Sequence, residues 1–242
     1  MDKGISINSK DKSHETQGLM VRWLVQTTIL GLIHAASLFV AVRRLDWGWA
    51  WAYLAVFLGG QLVAGLILVP RNPELLAERT RLKAEKRDVD RVLAGIMALF
   101  GPLAILIVAG LDVRLHWPGH FSPALHVGAL TGAALGSLLT VWAMASNRFF
   151  YGVLRIETER GHTVATTGPY RLVRHPGYVG AIVFDLVTPL ALGSLWALVP
   201  AALTVCAIGA RTAMEDRTLR QGLQGYAGYA RQTRYRLLPG VW

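Results

Sequence analysis

The chain is poor in the residues that stabilise small secreted or metal-bound folds, and poor in acid. It has one cysteine, Cys206, in 242 residues, which excludes an intrachain disulfide and a cysteine-based zinc cluster. Only 17% of the residues are charged, and the 15 acidic side chains are outnumbered by 25 Lys and Arg. A strand-flanked GxGxxG, the phosphate cradle of soluble dinucleotide-binding domains, is also missing. The sequence offers neither an internal repeat nor a low-complexity domain. No cleavable signal-peptide pattern opens it.

What it has instead is apolar length. Apolar residues make up 53% of the chain and mean hydropathy is +0.38, above the values of an ordinary water-soluble domain. A bilayer core about 30 Å thick requires roughly 20 mostly apolar residues per helix. Leu19 to Val42, Trp47 to Val69, Val92 to Leu111 and Ala124 to Ala145 meet that requirement and predict four spans. A fifth run, Tyr178 to Ala210, is too long for one untilted helix, and Pro189, Gly193 and Pro200 interrupt it. It reads as a helical hairpin turning near Gly193 and Ser194, one limb of which need not cross fully. The expected fold is therefore all-α: a polytopic membrane bundle of five to six spans whose last two form a hairpin.

Three regions follow. Residues 1–18 are polar and read as a flexible tail. Residues 19–146 hold the first four spans and a basic loop at 70–91, where Glu74 to Arg79 has the mixed charge of a solvated amphipathic helix. Residues 147–242 hold a loop, the hairpin and a C-terminal helix and tail. With the N-terminus inside and six spans, 22 of the 25 Lys and Arg fall on the cytoplasmic side, as the positive-inside rule requires. Both termini are expected in the cytosol. That topology, with anionic headgroups as partners, accounts for a pI near 10.3 without invoking nucleic acid. No obligate protein partner is evident.

Chemistry is expected in two segments. Gly168 to Tyr178 packs two prolines, two tyrosines, two arginines and a histidine into eleven residues. Pro169 and Pro176 bias Gly168 and His175 toward extended backbone, which leaves amides and carbonyls uncommitted to a helix. Such a loop can bind a polar ligand at the membrane surface, or it can simply anchor Tyr and Arg among headgroups. In the second segment, Arg211 and Glu215 stand four residues apart on one helix face. They can pair with each other, or both can point into a site where the guanidinium fork holds a carboxylate and the Glu accepts from amine or hydroxyl donors. Asp185, a carboxylate at membrane depth, needs a partner, and Arg211 is one possibility. Cys206 reads as a small core residue, and His34, Gln26 and Gln61 as interhelical hydrogen-bonding residues.

His162-Thr163-Val164-Ala165-Thr166-Thr167-Gly168-Pro169-Tyr170 and Arg174-His175-Pro176-Gly177-Tyr178, followed by Arg211, Glu215-Asp216, Tyr226, Tyr229 and a terminal Leu-Pro-Gly, resemble the isoprenylcysteine carboxyl methyltransferases from about Asn147 to Trp242. The resemblance implies S-adenosylmethionine as cofactor and no metal. It implies that His162, Thr163, Val164, Ala165, Tyr170, His175, Pro176, Gly177, Tyr178 and Glu215 contact the cofactor, with Glu157 standing in for a family glutamine. Arg211 would meet the substrate carboxylate, and Arg211 and Glu215 would be the catalytic pair. A lipophilic substrate would enter from the bilayer. All of this requires Tyr178 and Glu215 to reach one molecule.

Overall fold

The computed structural model describes residues 9–73, 88–115, 121–150 and 156–242. Among them, all regular structure is helical. Among the described residues, five helices are long and apolar enough to cross a membrane: Gln17–Val42, Gly48–Arg71, Val89–Leu115, Pro123–Ser146 and Leu198–Gly222. Large apolar side chains such as Leu32, Val40, Leu66, Leu135 and Leu203 stand exposed on them, the pattern of a surface solvated by lipid rather than water.

The first helix, α1, runs Ser9–Val42, so its backbone begins ten residues before the expected Leu19. Adding a residue to an existing helix gains a hydrogen bond without a new nucleus, and Lys10, Lys12, Glu15 and Gln17 are good helix formers. Helix α2 is Gly48–Arg71, with Pro70 in its last turn. The amphipathic helix expected at 74–79 lies outside the described residues.

The third span is not one uniform helix. α3, Asp88–Gly95, passes through a π turn at Ile96–Phe100 into α4, Gly101–Leu115. Pro102 explains the widening: it has no N–H and its ring crowds the carbonyl four residues back. The amide of Gly101 bonds instead to the carbonyl of Ile96.

Helix α5, Pro123–Ser146, starts at Ser122, whose hydroxyl accepts from Leu125 N at 3.3 Å, a side-chain N-cap. Its main partner is α6, Pro176–Leu192. The two backbones nearly touch, since a Cβ on Gly136 would stand 2.7 Å from the Gly180 carbonyl oxygen. Small residues at such crossings let membrane helices approach closely. Helix α7 is Leu198–Gly222 and α8 is Tyr226–Gln232.

The expected hairpin is α6–α7. With 17 residues, α6 is about 25 Å long at 1.5 Å per residue and is the shorter limb of the hairpin. The turn forms where expected: Gly193 adopts φ 77°, open to glycine without the Cβ clash. Ser194 Oγ then donates to Asp112 Oδ2 at 2.5 Å, and Trp196 N donates to the same oxygen at 3.4 Å.

Near that end, Leu38, Tyr53, Leu106 and Leu192 form the largest buried cluster. His34 meets the Tyr53 hydroxyl at 3.2 Å, the interhelical contact expected of it. Gln61 contributes its backbone carbonyl, which accepts from Trp23 Nε1 at 3.3 Å. Cys206 departs from expectation by being exposed, on the lipid-facing side of α7.

Candidate active site

The opposite end of the hairpin is closed by the chain that precedes α6 and by the tail that follows α7. The extended strip 162–166 and a short 3₁₀ turn, Gly168–Arg171, lead into Pro176, the first residue of α6, where a missing amide costs nothing. Past α7 the chain folds back. Arg174 N donates to Tyr235 O at 2.9 Å and His175 N to Arg236 O at 3.0 Å, so the tail straps the loop to the start of α6.

One carboxylate organises this knot. Asp216 is fully buried on α7 and receives Arg174 Nε at 2.7 Å, Arg220 Nε at 3.0 Å, Arg236 Nε at 3.0 Å and the Tyr226 hydroxyl at 3.0 Å. Arg174 is itself buried and also donates to the carbonyls of Thr233 and Arg234 at 2.9 and 2.7 Å. A buried charge is tolerable only when paired and hydrogen-bonded, and here both members are.

A cavity of about 280 Å³ opens beside this knot. One wall is His162, Thr163, Val164 and Ala165. A second is Tyr170, His175, Gly177 and Tyr178, and a third is Arg211 and Glu215 of α7. Tyr178 Oη donates to Glu215 Oε2 at 2.6 Å, so the two separated motifs meet across the cavity, as the resemblance requires. The His175 ring stacks on Tyr178 and lies between two carboxylates, Nδ1 at 3.8 Å from Glu215 Oε1 and Nε2 at 3.7 Å from Asp216 Oδ1.

Two expected contact residues are off the wall. Glu157 pairs with Arg160 at 3.3 Å and braces His162, whose Nδ1 accepts the Glu157 amide at 3.4 Å. Pro176 is buried behind the wall as the first residue of α6. The pairing of Arg211 with Glu215 does not form, nor does pairing of Arg211 with Asp185. Arg211 Nε instead donates to Asp90 Oδ1 of α3 at 3.2 Å, while Asp185 is buried on α6 away from the cavity.

Several wall residues carry no motif signal: Ala94, Met97 and Ala98 of the third span, Asn147 at the end of α5, and Phe149 and Phe150 after it. The π turn, which presents Met97 and Ala98, could have been suspected from Pro102. Asp90 had no signal beyond its charge.

The chemistry of the wall suits a polar ligand with an apolar companion. Among the described residues, the amides of Thr163, Val164 and Ala165 donate to no backbone carbonyl, which leaves them to a ligand or water. Burial pushes the Tyr170 phenol well above its usual value and that of Tyr229 up to about 12, so both stay protonated donors. Tyr229 uses its proton on the Tyr170 carbonyl at 2.7 Å. Burial holds the His162 imidazole below its usual pKa, against the opposing pull of Glu157 and Glu215.

Fold and site together define a polytopic helical membrane protein with a reaction-sized cavity at one end of its bundle. Residues 129–221, which contain α6, nearly all of α7 and most of the cavity wall, match the model of the isoprenylcysteine carboxyl methyltransferase (ICMT) family. The match begins within α5, earlier than the motifs indicated, and stops before Tyr226 and the tail. No curated protein matches the chain.

Proposed function

We propose that the protein transfers a methyl group from S-adenosylmethionine to the carboxylate of an isoprenylated cysteine, or a similar lipophilic carboxylate, at the cytosolic face of its membrane. The single observation that carries the reading is the 2.6 Å contact of Tyr178 with Glu215 across a cavity that both motifs line. The donor set fits the cofactor. The uncommitted amides of 163–165 suit its carboxylate, Glu215 suits its amine or ribose hydroxyls, and Tyr170, Phe149 and Phe150 offer aromatic faces for its adenine. When bound, the cofactor supplies an electrophilic methyl on sulfur.

The protein then has mainly to orient the nucleophile. A carboxylate with a pKa near 3.5 is ionised at neutral pH and requires no base, which suits a wall that includes the Arg211 guanidinium. Ala94, Met97, Ala98 and Ala181 form an apolar side suited to a chain arriving from the bilayer, each buried CH₂ contributing about 0.8 kcal/mol. The positive-inside distribution supports a cytosolic position for the cavity, the tail and both termini, where anionic lipids would be neighbours.

His175, held between two carboxylates, favours a second reading in which it takes a proton from a thiol or a phospholipid amine. The deciding experiment is a transfer assay with labelled methyl donor, comparing a farnesylated cysteine analogue, phosphatidylethanolamine and a simple thiol. Preferred labelling of the farnesylated acid, with a rate flat from pH 6 to 8, is expected. Preferred labelling of the thiol or amine, with a rate rising steeply with pH, would replace the proposal with the second reading.

A further inference from the structure

Arg211 lines the cavity and Asp90 does not, yet the two are joined by an ion pair at 3.2 Å between side chains only 6% and 3% exposed. The carboxylate therefore grips the guanidinium from behind the wall. This pairing links α3 to α7 across 121 positions of sequence.

The proposed reaction gives the contact a consequence. A carboxylate oxygen forms a bond to the methyl carbon while the carbon–sulfur bond breaks and its electron pair stays on sulfur. One anion and one cation become a neutral ester and a neutral thioether, and no proton moves. Negative charge on the nucleophile fades toward the transition state, so an uncompensated guanidinium would stabilise the bound acid more than the transition state. Burial strengthens that effect by lowering the local dielectric.

Resting on that reading, we infer that Asp90 is the positioning residue for Arg211 and moderates its charge, so that Arg211 orients the substrate carboxylate without trapping it. Asp90 thereby sets how strongly the site prefers a free acid over its neutral ester.

The test uses full-length protein in nanodiscs and compares binding of a farnesylated cysteine acid with that of its methyl ester, alongside initial rates. Asp90→Asn is expected to raise affinity for the acid roughly tenfold, to leave ester affinity within about twofold, and to lower kcat roughly tenfold. The KM for S-adenosylmethionine should not move. An equal change for acid and ester, or a weakened acid, would overturn the inference.

Asp90→Glu keeps the charge and covers the case in which Asp90→Asn does not fold. Its acid-to-ester affinity ratio should stay within about threefold of wild type while kcat falls. A tenfold change in that ratio would count against Asp90 acting through charge. Failure of the wild-type protein to methylate the acid would remove the underlying reading. Methylation by wild type with an unchanged acid-to-ester ratio in Asp90→Asn would remove only the role of Asp90.

Discussion

The α6–α7 hairpin ends in two polar knots, each built on a carboxylate and each built differently. At the turn, Asp112 accepts from one hydroxyl and one backbone amide, from Ser194 and Trp196. At the open end, Asp216 gathers three arginines and a tyrosine. Neutral donors suffice to fix a turn, because the donors belong to the turn itself. Joining a loop, a helix and a returning tail takes long cationic side chains that reach from separate elements. The first knot holds the hairpin shut, and the second shapes a cavity wall.

Cutting the second knot should have the largest effect. Asp216→Ala leaves Arg174 buried without its counter-ion and is expected to cost about 3–5 kcal/mol, together with cofactor binding. Thermal unfolding in detergent and equilibrium binding of S-adenosylmethionine would measure both. A loss below about 1 kcal/mol would mean that the carbonyls of Thr233 and Arg234 alone satisfy Arg174.

Next comes the contact across the cavity. Glu215→Gln keeps the shape but weakens a charge-assisted bond of about 1.5–3 kcal/mol, so cofactor affinity should fall about 10- to 100-fold in calorimetric titration, with little change in unfolding temperature. Ser194→Ala should do the reverse at the other knot. Stability falls by about 2 kcal/mol, while the transfer rate per folded molecule holds.

A smaller effect is expected on acidification. The folded pKa of His162 is depressed, so its contribution to stability is complete above the ordinary imidazole value near 6.5 and is lost as pH falls through the folded value. Unfolding temperature should therefore drop between pH 7.5 and 5.5, and His162→Gln should flatten that slope. Smallest of all, Cys206→Ala on the exposed face of α7 should change stability by less than about 0.5 kcal/mol.

The distribution of apolar runs determined the helical bundle, the hairpin and its turn from sequence alone, because lipid requires each spanning segment to satisfy its own backbone within a helix of fixed length. Two short motifs likewise marked the loop and the helix that line the cavity. The family match at 129–221 covers that whole loop and the motif on α7.

Which side chain answers which charge was decided only in three dimensions. Arg211 turns to Asp90 on another span rather than to Glu215 on its own helix, and Asp216 draws in Arg236 from the tail. Helical spacing fixes which residues share a face. The choice of partner depends on which neighbouring helix brings an opposite charge to a buried guanidinium, and helix packing supplies that neighbour.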